Sequence, residues 1–205
     1  YDEHTPFIVP FEEYSSFLAT EKKSVSNILR LKRDLGGESY LGFIATDREL
    51  EKAYNRVVGF DGNFRFLENY YLRGQILGYY TKELNDTLLY SDSTTFSDKN
   101  YTAAFDGESF SGYGGIVELN RSARHWNFNF FYSEAPPEAR RDNGFMSENN
   151  LRRLGFWQGY VVQPNSWLLD EITPQFEGGV RYRYDDGSFK ERWFVPQLYV
   201  RFKKQ

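Results

Sequence analysis

The sequence of 205 residues contains no cysteine, one methionine and two histidines. The absence of cysteine excludes disulfides and thiolate-bound metal, and it fits an exported bacterial protein. No apolar run approaches the roughly 20 residues that a transmembrane helix needs. The formal net charge of −4 gives no sign of the basic surface typical of nucleic-acid-binding proteins. We therefore expect no helical membrane span, no nucleic-acid partner, and neither a cofactor nor a metal.

Motifs for catalysis are also scarce. His4 and His125 lie far apart in the sequence, and no G-x-S-x-G nucleophile elbow is present. Three carboxylates resemble the solvated face of a loop more than a paired glycosidase site: Glu134, Glu138 and Asp142. Three others lack the spacing of an EF-hand: Asp92, Asp98 and Asp106. The sequence predicts that the protein is not an enzyme.

Aromatic residues, in contrast, make up 19% of the chain and recur with a period of two. The stretch from Tyr54 to Glu83 predicts two strands joined by a turn at 67–69. Successive strand side chains point to opposite faces, so one face of the second strand is apolar and the other is mixed and polar. The apolar face carries Tyr70, Leu72, Gly74, Ile76, Gly78 and Tyr80. The first strand has the same division, which indicates a two-faced sheet.

The pattern repeats along the chain and predicts about nine or ten strands without a helix. Further strands are expected at 27–35, 39–48, 101–106, 110–121, 125–133, 152–163, 176–185 and 188–203. Gly36-Gly37 and Asp186-Gly187 predict hairpin turns, and 84–100 and 135–150 predict loops. Pro6 and Pro10 block ladder hydrogen bonds. Residues 1–23 are therefore expected to form an extended or plug-like N-terminal segment, followed by a β-barrel domain at 24–205.

Alternation alone is compatible with a soluble sandwich and with a transmembrane barrel. Aromatic residues at the ends of the apolar faces, charges on the opposite faces and long strands without helices favour an antiparallel up-and-down transmembrane β-barrel. The predicted lumen-facing polar residues are Arg30, Lys32, Asp61, Arg65, Arg73, Glu177, Arg181 and Arg183. Because their signs are mixed and small barrels leave little lumen, we interpret them as a mutually neutralising network rather than a selective pore. The loop candidates for a specific role are Arg140, Arg141, Asp142 and Asn143, although a turn motif that fixes register is the favoured interpretation.

Three runs resemble one family: Leu29 to Glu49, Tyr54 to Phe66 and Ser133 to Phe156. They are similar to a group of uncharacterised outer-membrane barrel domains common in Bacteroidetes and related bacteria. There the barrel often follows a family-nine-type carbohydrate-binding module. The opening from Glu3 to Phe17 is similar to the family's segment just before its barrel.

The resemblance implies localisation in the bacterial outer membrane, with the lipid bilayer or lipopolysaccharide as partner and other outer-membrane proteins and glycans as further candidates. It implies a structural or transport-associated barrel within a larger cell-surface complex. Between Phe17 and Ser24 the chain lacks strands that family members usually have, so we expect a partial barrel with missing pieces. A complete compact barrel would instead have eight or ten strands and pair the strand at 27–35 with that at 188–203.

The alternative is a soluble β-sandwich or barrel that binds glycans through exposed aromatic residues. Its candidate stacking residues are Tyr90, Phe96 and Trp167. Trp167 adjoins two leucines and is equally compatible with an interfacial anchor. The two functions differ in whether extraction of the protein requires detergent. For the soluble alternative, calorimetry against polysaccharides with Trp167→Ala would test that residue's part in the site.

The alternation also predicts the orientation of individual side chains. We expect spin labels at six positions to be shielded from water by lipid or detergent: Leu72, Ile76, Phe128, Phe130, Val180 and Tyr182. Labels at six others should report the polar interior: Arg73, Gln75, Asn127, Asn129, Arg181 and Arg183. Near the bilayer midplane, Phe128→Arg should cost about 2–4 kcal/mol. Water-accessible labels in the first set would contradict the orientation.

Overall fold

The computed structural model describes residues 4–98 and 100–203, and every regular element in those ranges is a β-strand. The thirteen strands are β1 (Thr5–Pro10), β2 (Ser15–Thr20), β3 (Val25–Gly36), β4 (Ser39–Leu50), β5 (Ala53–Phe66), β6 (Tyr70–Lys82), β7 (Thr95–Phe96), β8 (Tyr101–Thr102), β9 (Ser109–Arg121), β10 (Trp126–Ala135), β11 (Leu151–Tyr160), β12 (Leu169–Arg183) and β13 (Phe189–Phe202).

Nine of these strands form one antiparallel sheet in the order β13-β12-β11-β10-β9-β6-β5-β4-β3. Each strand pairs with its neighbour in the sequence, except that residues 83–108, which include the short hairpin β7–β8, are inserted between β6 and β9. Long loops at 83–108 and 136–150 lie at one end of the sheet, which we call the loop end. The opposite end, the turn end, has the connections at 37–38, 67–69, 122–125 and 161–168. The predicted all-β antiparallel class is confirmed.

The sheet is open. Within the described ranges β3 pairs only with β4 and β13 only with β12, so the ladder that would close a compact barrel is absent. The nine strands of the main sheet agree with the predicted nine or ten, but not with the eight or ten of a complete single-chain barrel. Because nine is odd, β3 and β13 run in the same direction, and joining them directly would create a parallel pair in an antiparallel sheet. Antiparallel closure therefore needs an odd number of further strands.

The two faces of the sheet differ as the sequence predicts. On the face that we call the apolar face, Phe60, Ile76 and Leu198 are 65%, 69% and 66% exposed. On the opposite, polar face the neighbouring Leu77 and Tyr79 are buried. The paired residues of adjacent strands keep this division, as in the matched pairs Phe43–Phe60, Phe60–Ile76 and Phe130–Phe156. The core side chains Leu77 and Tyr79 therefore lie on the polar face, near the loop end.

Three segments cover the polar face at the loop end and form the core there with the sheet. They are residues 5–20, residues 83–108 and residues 136–150. One core cluster joins Val57, Leu77 and Tyr79 of the sheet to Ala139 and Met146 of residues 136–150, which we call the inner loop. A second cluster contains Val9, Leu50, Ala53, Leu84 and Phe105. The hydrophobic core is thus built between the sheet and its own loops, not between two sheets.

The N-terminal segment differs from the extended form expected for it. Thr5–Pro10 and Ser15–Thr20 pair as a separate two-stranded hairpin. Proline is tolerated there because a strand in a two-stranded ladder has a partner on one side only. Val9 is buried in the loop-end core, so the hairpin packs against the rest of the chain. Likewise, the strand expected at 101–106 is limited to the two residues of β8.

Two glycines on the apolar face provide a test of how closely the strands approach. A Cβ at Gly115 would lie 2.3 Å from the Gln75 carbonyl oxygen, whereas a Cβ at Gly74 would meet nothing closer than 3.6 Å. We expect Gly115→Ala to lower the free energy of unfolding by about 1–3 kcal/mol because backbone must move to admit the methyl group. Gly74→Ala, the control, should be neutral or slightly stabilising. Equal effects in denaturant titrations would contradict the close approach.

Candidate membrane-facing surface and inner loop

The apolar face is exposed over most of the sheet, and its charges lie toward the strand ends. Asp47, Glu49 and Arg56 form one such group at the loop end, where Arg56 donates to Asp47 at 2.9 Å and to Glu49 at 2.7 Å. Arg121 ends β9 at the turn end. Monomeric soluble proteins rarely expose contiguous apolar patches of more than a few hundred Å². A contiguous exposed apolar surface is typical of sites that contact lipid or another protein.

Tyrosine and tryptophan lie at both ends of this face. At the turn end the sheet carries Tyr70, Trp126 and Tyr160, and at the loop end it carries Tyr54, Tyr80, Tyr113, Tyr132 and Tyr182. Tyr70 and Tyr80 are ten residues apart on β6, which is about 33 Å along a strand. At the tilt of about 40° found in membrane barrels, that length spans about 25 Å. The spacing therefore matches the apolar band of a transmembrane barrel.

The six residues expected to face lipid all lie on the apolar face. Phe128 differs in exposure, since only 8% of it is accessible. Its ring packs between those of Trp126 at 5.1 Å and Phe130 at 5.2 Å, with Tyr70 at 6.1 Å. Aromatic neighbours on the same face therefore cover Phe128, which makes Ile76, at 69% exposed, the better reporter of the environment.

The eight predicted lumen-facing residues lie on the polar face, although the open sheet encloses no lumen. Arg30 of β3 reaches across Gly42 of β4 to Asp61 of β5, with a 2.7 Å bond from Nη2. A Cβ at Gly42 would lie 2.6 Å from both partners, so glycine is what lets this pair meet. Other contacts are Arg65–Glu38, Arg73–Asn63, Arg181–Glu191, Arg183–Asp185 and Lys32 over the Tyr40 ring. Glu177 lies opposite Trp157 and Val195 in the ladders.

The four loop candidates dock on the polar face instead of lying in solvent. Asn55 of β5 is buried and donates to the Arg140 carbonyl at 3.3 Å, while its Oδ1 accepts from the Asp142 amide at 3.1 Å. Arg141 donates to the Tyr79 hydroxyl at 2.7 Å. Asn143 lines a cavity against the sheet. The expectation of a solvated face is therefore wrong for Asp142, because the loop turns inward and its backbone is held by sheet side chains.

The remaining two carboxylates of that group also have specific partners. Glu134 accepts from the Tyr132 hydroxyl at 2.8 Å and faces Arg152 at 3.7 Å. Glu138 accepts a hydrogen bond from Ser97 of the 83–108 insertion. The Glu138–Ser97 contact joins the inner loop to the 83–108 insertion, and we call the layer formed by these two loops the loop layer.

The loop layer encloses an ionic cluster. Glu83, which follows β6, faces Arg140 of the inner loop at 3.4 Å, and both side chains are buried. Burial raises the pKa of Glu83 to about 8, opposed by Arg140 and assisted by Asp106, Glu108 and Asp142. Burial also raises the pKa of Asp142, which Arg48 and Arg140 oppose. Burial in the loop layer therefore favours the protonated forms of Glu83 and Asp142 relative to solvent-exposed carboxyl groups.

The aromatic residues of the glycan-binding alternative do not form a common exposed platform. Tyr90 packs on Phe105 with ring centroids 5.7 Å apart, and Phe96 packs edge-on against Phe110 at 5.3 Å. Both are half-buried. Trp167 is 81% exposed but lies in the 161–168 connection at the turn end, at the opposite end of the sheet. The expected exposure is therefore wrong for Tyr90 and Phe96.

Comparison of the chain with family models, curated proteins and solved structures finds no significant match. No helix within residues 4–98 and 100–203 is long and apolar enough to cross a membrane.

Sequence reasoning missed the buried polar residues that hold the loops. Arg48 donates to the Pro6 carbonyl at 3.0 Å and to the Asp142 carbonyl at 2.7 Å, which ties the N-terminal hairpin and the inner loop to β4. Glu83 was the last residue of a predicted strand pair and carried no motif. One signal in the sequence could have indicated these residues. Arg48 and Asn55 are polar residues at strand positions that face the core near the loop end.

The raised pKa of Glu83 predicts a pH dependence of stability. A folded-state pKa of about 8 against an ordinary value of 4.5 means that the folded protein binds this proton more tightly than the unfolded chain. The free energy of unfolding should therefore fall as pH rises from about 4.5 to about 8, by on the order of 3 kcal/mol. Denaturant titrations in chelator-containing buffer should show that slope in the parent and a smaller slope in Glu83→Gln. Identical slopes would contradict it.

Proposed function

We propose that this chain forms part of the wall of a bacterial outer-membrane β-barrel, with a structural or transport-associated role in a larger cell-surface assembly. The observation that carries the proposal is the exposed apolar face with aromatic residues at both ends and charges toward the strand ends. In water, such a surface would be an aggregation hazard. Against lipid it is the surface that an outer-membrane strand requires.

The polar side of the sheet supports the same proposal. Non-helical backbone is tolerated at membrane depth only where protein or a water-filled cavity surrounds it. The inner loop meets this condition, because its backbone is bonded to Asn55 and Arg48 on the polar face. It also covers the loop end of the sheet, which favours a closed or anchoring structure over a wide open channel.

The unpaired edges of β3 and β13 limit which strands can complete the sheet. Hydrocarbon does not tolerate the unpaired N–H and C=O groups of β3 and β13, so other strands must cover them in a bilayer. A second copy rotated about the membrane normal would present its β13 to β3 in the same direction, giving a parallel pair. Closure therefore needs one further strand or a larger odd number of strands. The strands that pair with β3 and β13 would run antiparallel to them. The resemblance of 29–49 and 54–66 to a family with further strands agrees with this.

A matched pair of isoleucines tests the membrane proposal. Ile76 is 69% exposed on the apolar face, and Ile116 is 36% exposed on the polar face, across the ladder from Gln75. In lipid vesicles Ile76→Arg should lower the free energy of unfolding by about 2–4 kcal/mol, as expected for a charge near the bilayer midplane. Ile116→Arg should change it by less than about 1 kcal/mol, because the side chain reaches a polar surface that includes Glu118 on the same strand.

The proposal fails if the two arginine variants behave alike and the protein stays in the aqueous fraction without detergent. That result would favour a soluble sheet with an exposed protein-binding face. The soluble glycan-binding alternative has weaker support, because two of its three aromatic residues are packed in the loop layer.

A further inference from the structure

Three carboxylates converge in the loop layer. One oxygen each from Glu83, Asp106 and Glu108 lies within 4.8 Å of the other two. The chain brings them together through a short extension of the sheet: the Glu83 amide donates to the Glu108 carbonyl at 2.9 Å, and Asn85 forms a bridge with Asp106. Gly107 permits the turn, since its φ is +88° and a Cβ would lie 3.2 Å from the Asn85 side chain.

Glu83 is the member of the cluster that points to a ligand. It is 7% exposed, and its Oε2 is fully buried with no hydrogen-bond partner among the described residues. Its Oε1 faces Arg140 at 3.4 Å. Buried polar atoms are nearly always satisfied, so an orphaned oxygen on a buried side chain that is grouped with two further carboxylates favours a bound proton or cation at this place.

The other two carboxylates are already oriented by hydrogen bonds. Glu108 accepts from the Thr102 amide at 2.8 Å, and Asp106 accepts from the Thr102 hydroxyl at 3.0 Å. Each carboxylate keeps a second oxygen, so both can serve as ligands without losing these bonds. When all three acids are ionised, Arg140 neutralises one negative charge. The two that remain would be balanced by one divalent cation.

We propose that Glu83, Asp106 and Glu108 bind a hard divalent cation of the Ca²⁺ type. The donor set consists only of oxygens, and the chain contains no cysteine, so the softer thiolate-binding metals are disfavoured. Ca²⁺ accepts six to eight oxygen ligands in flexible geometry, which suits three carboxylates supplemented by water. The cation would tie the end of β6 to the start of β9 and so fasten the 83–108 insertion. This inference does not depend on membrane localisation.

The test uses the purified full chain, stripped with EDTA and titrated with Ca²⁺ by calorimetry. We expect one Ca²⁺ per chain and an upward shift of the thermal unfolding midpoint. Asp106→Asn and Glu108→Gln should each weaken Ca²⁺ binding roughly tenfold or more. Asp106 is exposed, so its variant keeps the fold. Glu68→Gln, in the 67–69 turn at the opposite end, is the control and should bind Ca²⁺ like the parent.

Two outcomes would overturn the site. One is binding that is equally strong in Asp106→Asn, Glu108→Gln and Glu68→Gln, which would place Ca²⁺ elsewhere. The other is the absence of Ca²⁺ binding to the parent protein. If Glu83→Gln then raises the thermal unfolding midpoint, a proton alone satisfies the cluster. Either outcome leaves the comparison of the Ile76 and Ile116 variants unaffected, so failure of the cation site is distinguishable from failure of the membrane proposal.

Discussion

The constraint on which this structure depends is the period-two alternation of a β-strand, imposed on a sheet that has protein on only one side. The central strands present one set of side chains to the loop layer at the loop end and the other set to the surroundings. Leu77 and Tyr79 are buried, whereas Ile76 and Tyr80, which flank them on either side, are exposed. A shift of one residue in any strand would exchange the two sets, so the register of the sheet is strongly specified.

The loop layer takes the place of a second sheet. Buried Asn55 and Arg48 reach from the strands to backbone groups of the inner loop, and Arg141 reaches from that loop to Tyr79. These bonds satisfy loop backbone that would otherwise be buried without partners. The same layer creates the low-dielectric site in which Glu83, Arg140 and the nearby acids interact. The structural role of the loops and the chemistry of the ionic cluster therefore have one origin.

The open edges and the apolar face together direct the functional proposal. A soluble sheet could leave an edge strand such as β3 unpaired, but it would rarely leave most of a face apolar and uncovered. A bilayer would accept the face but not the edges. A wall that other strands complete meets both conditions. The parallel directions of β3 and β13 add that those strands are odd in number and come from something other than a symmetric second copy.

The sequence by itself determined the nine strands of the main sheet, most of the turns and the assignment of side chains to two faces, because alternation and glycine-rich turns act over a few residues. It did not determine the closure of the sheet, since pairing between strands far apart in the chain has no local signature. It also gave no indication that the inner loop folds inward, or that Tyr90 and Phe96 are packed in the loop layer. More than twenty residues separate Glu83 from Asp106 and Glu108, and only the tertiary structure brings the buried Glu83 carboxyl group next to the other two.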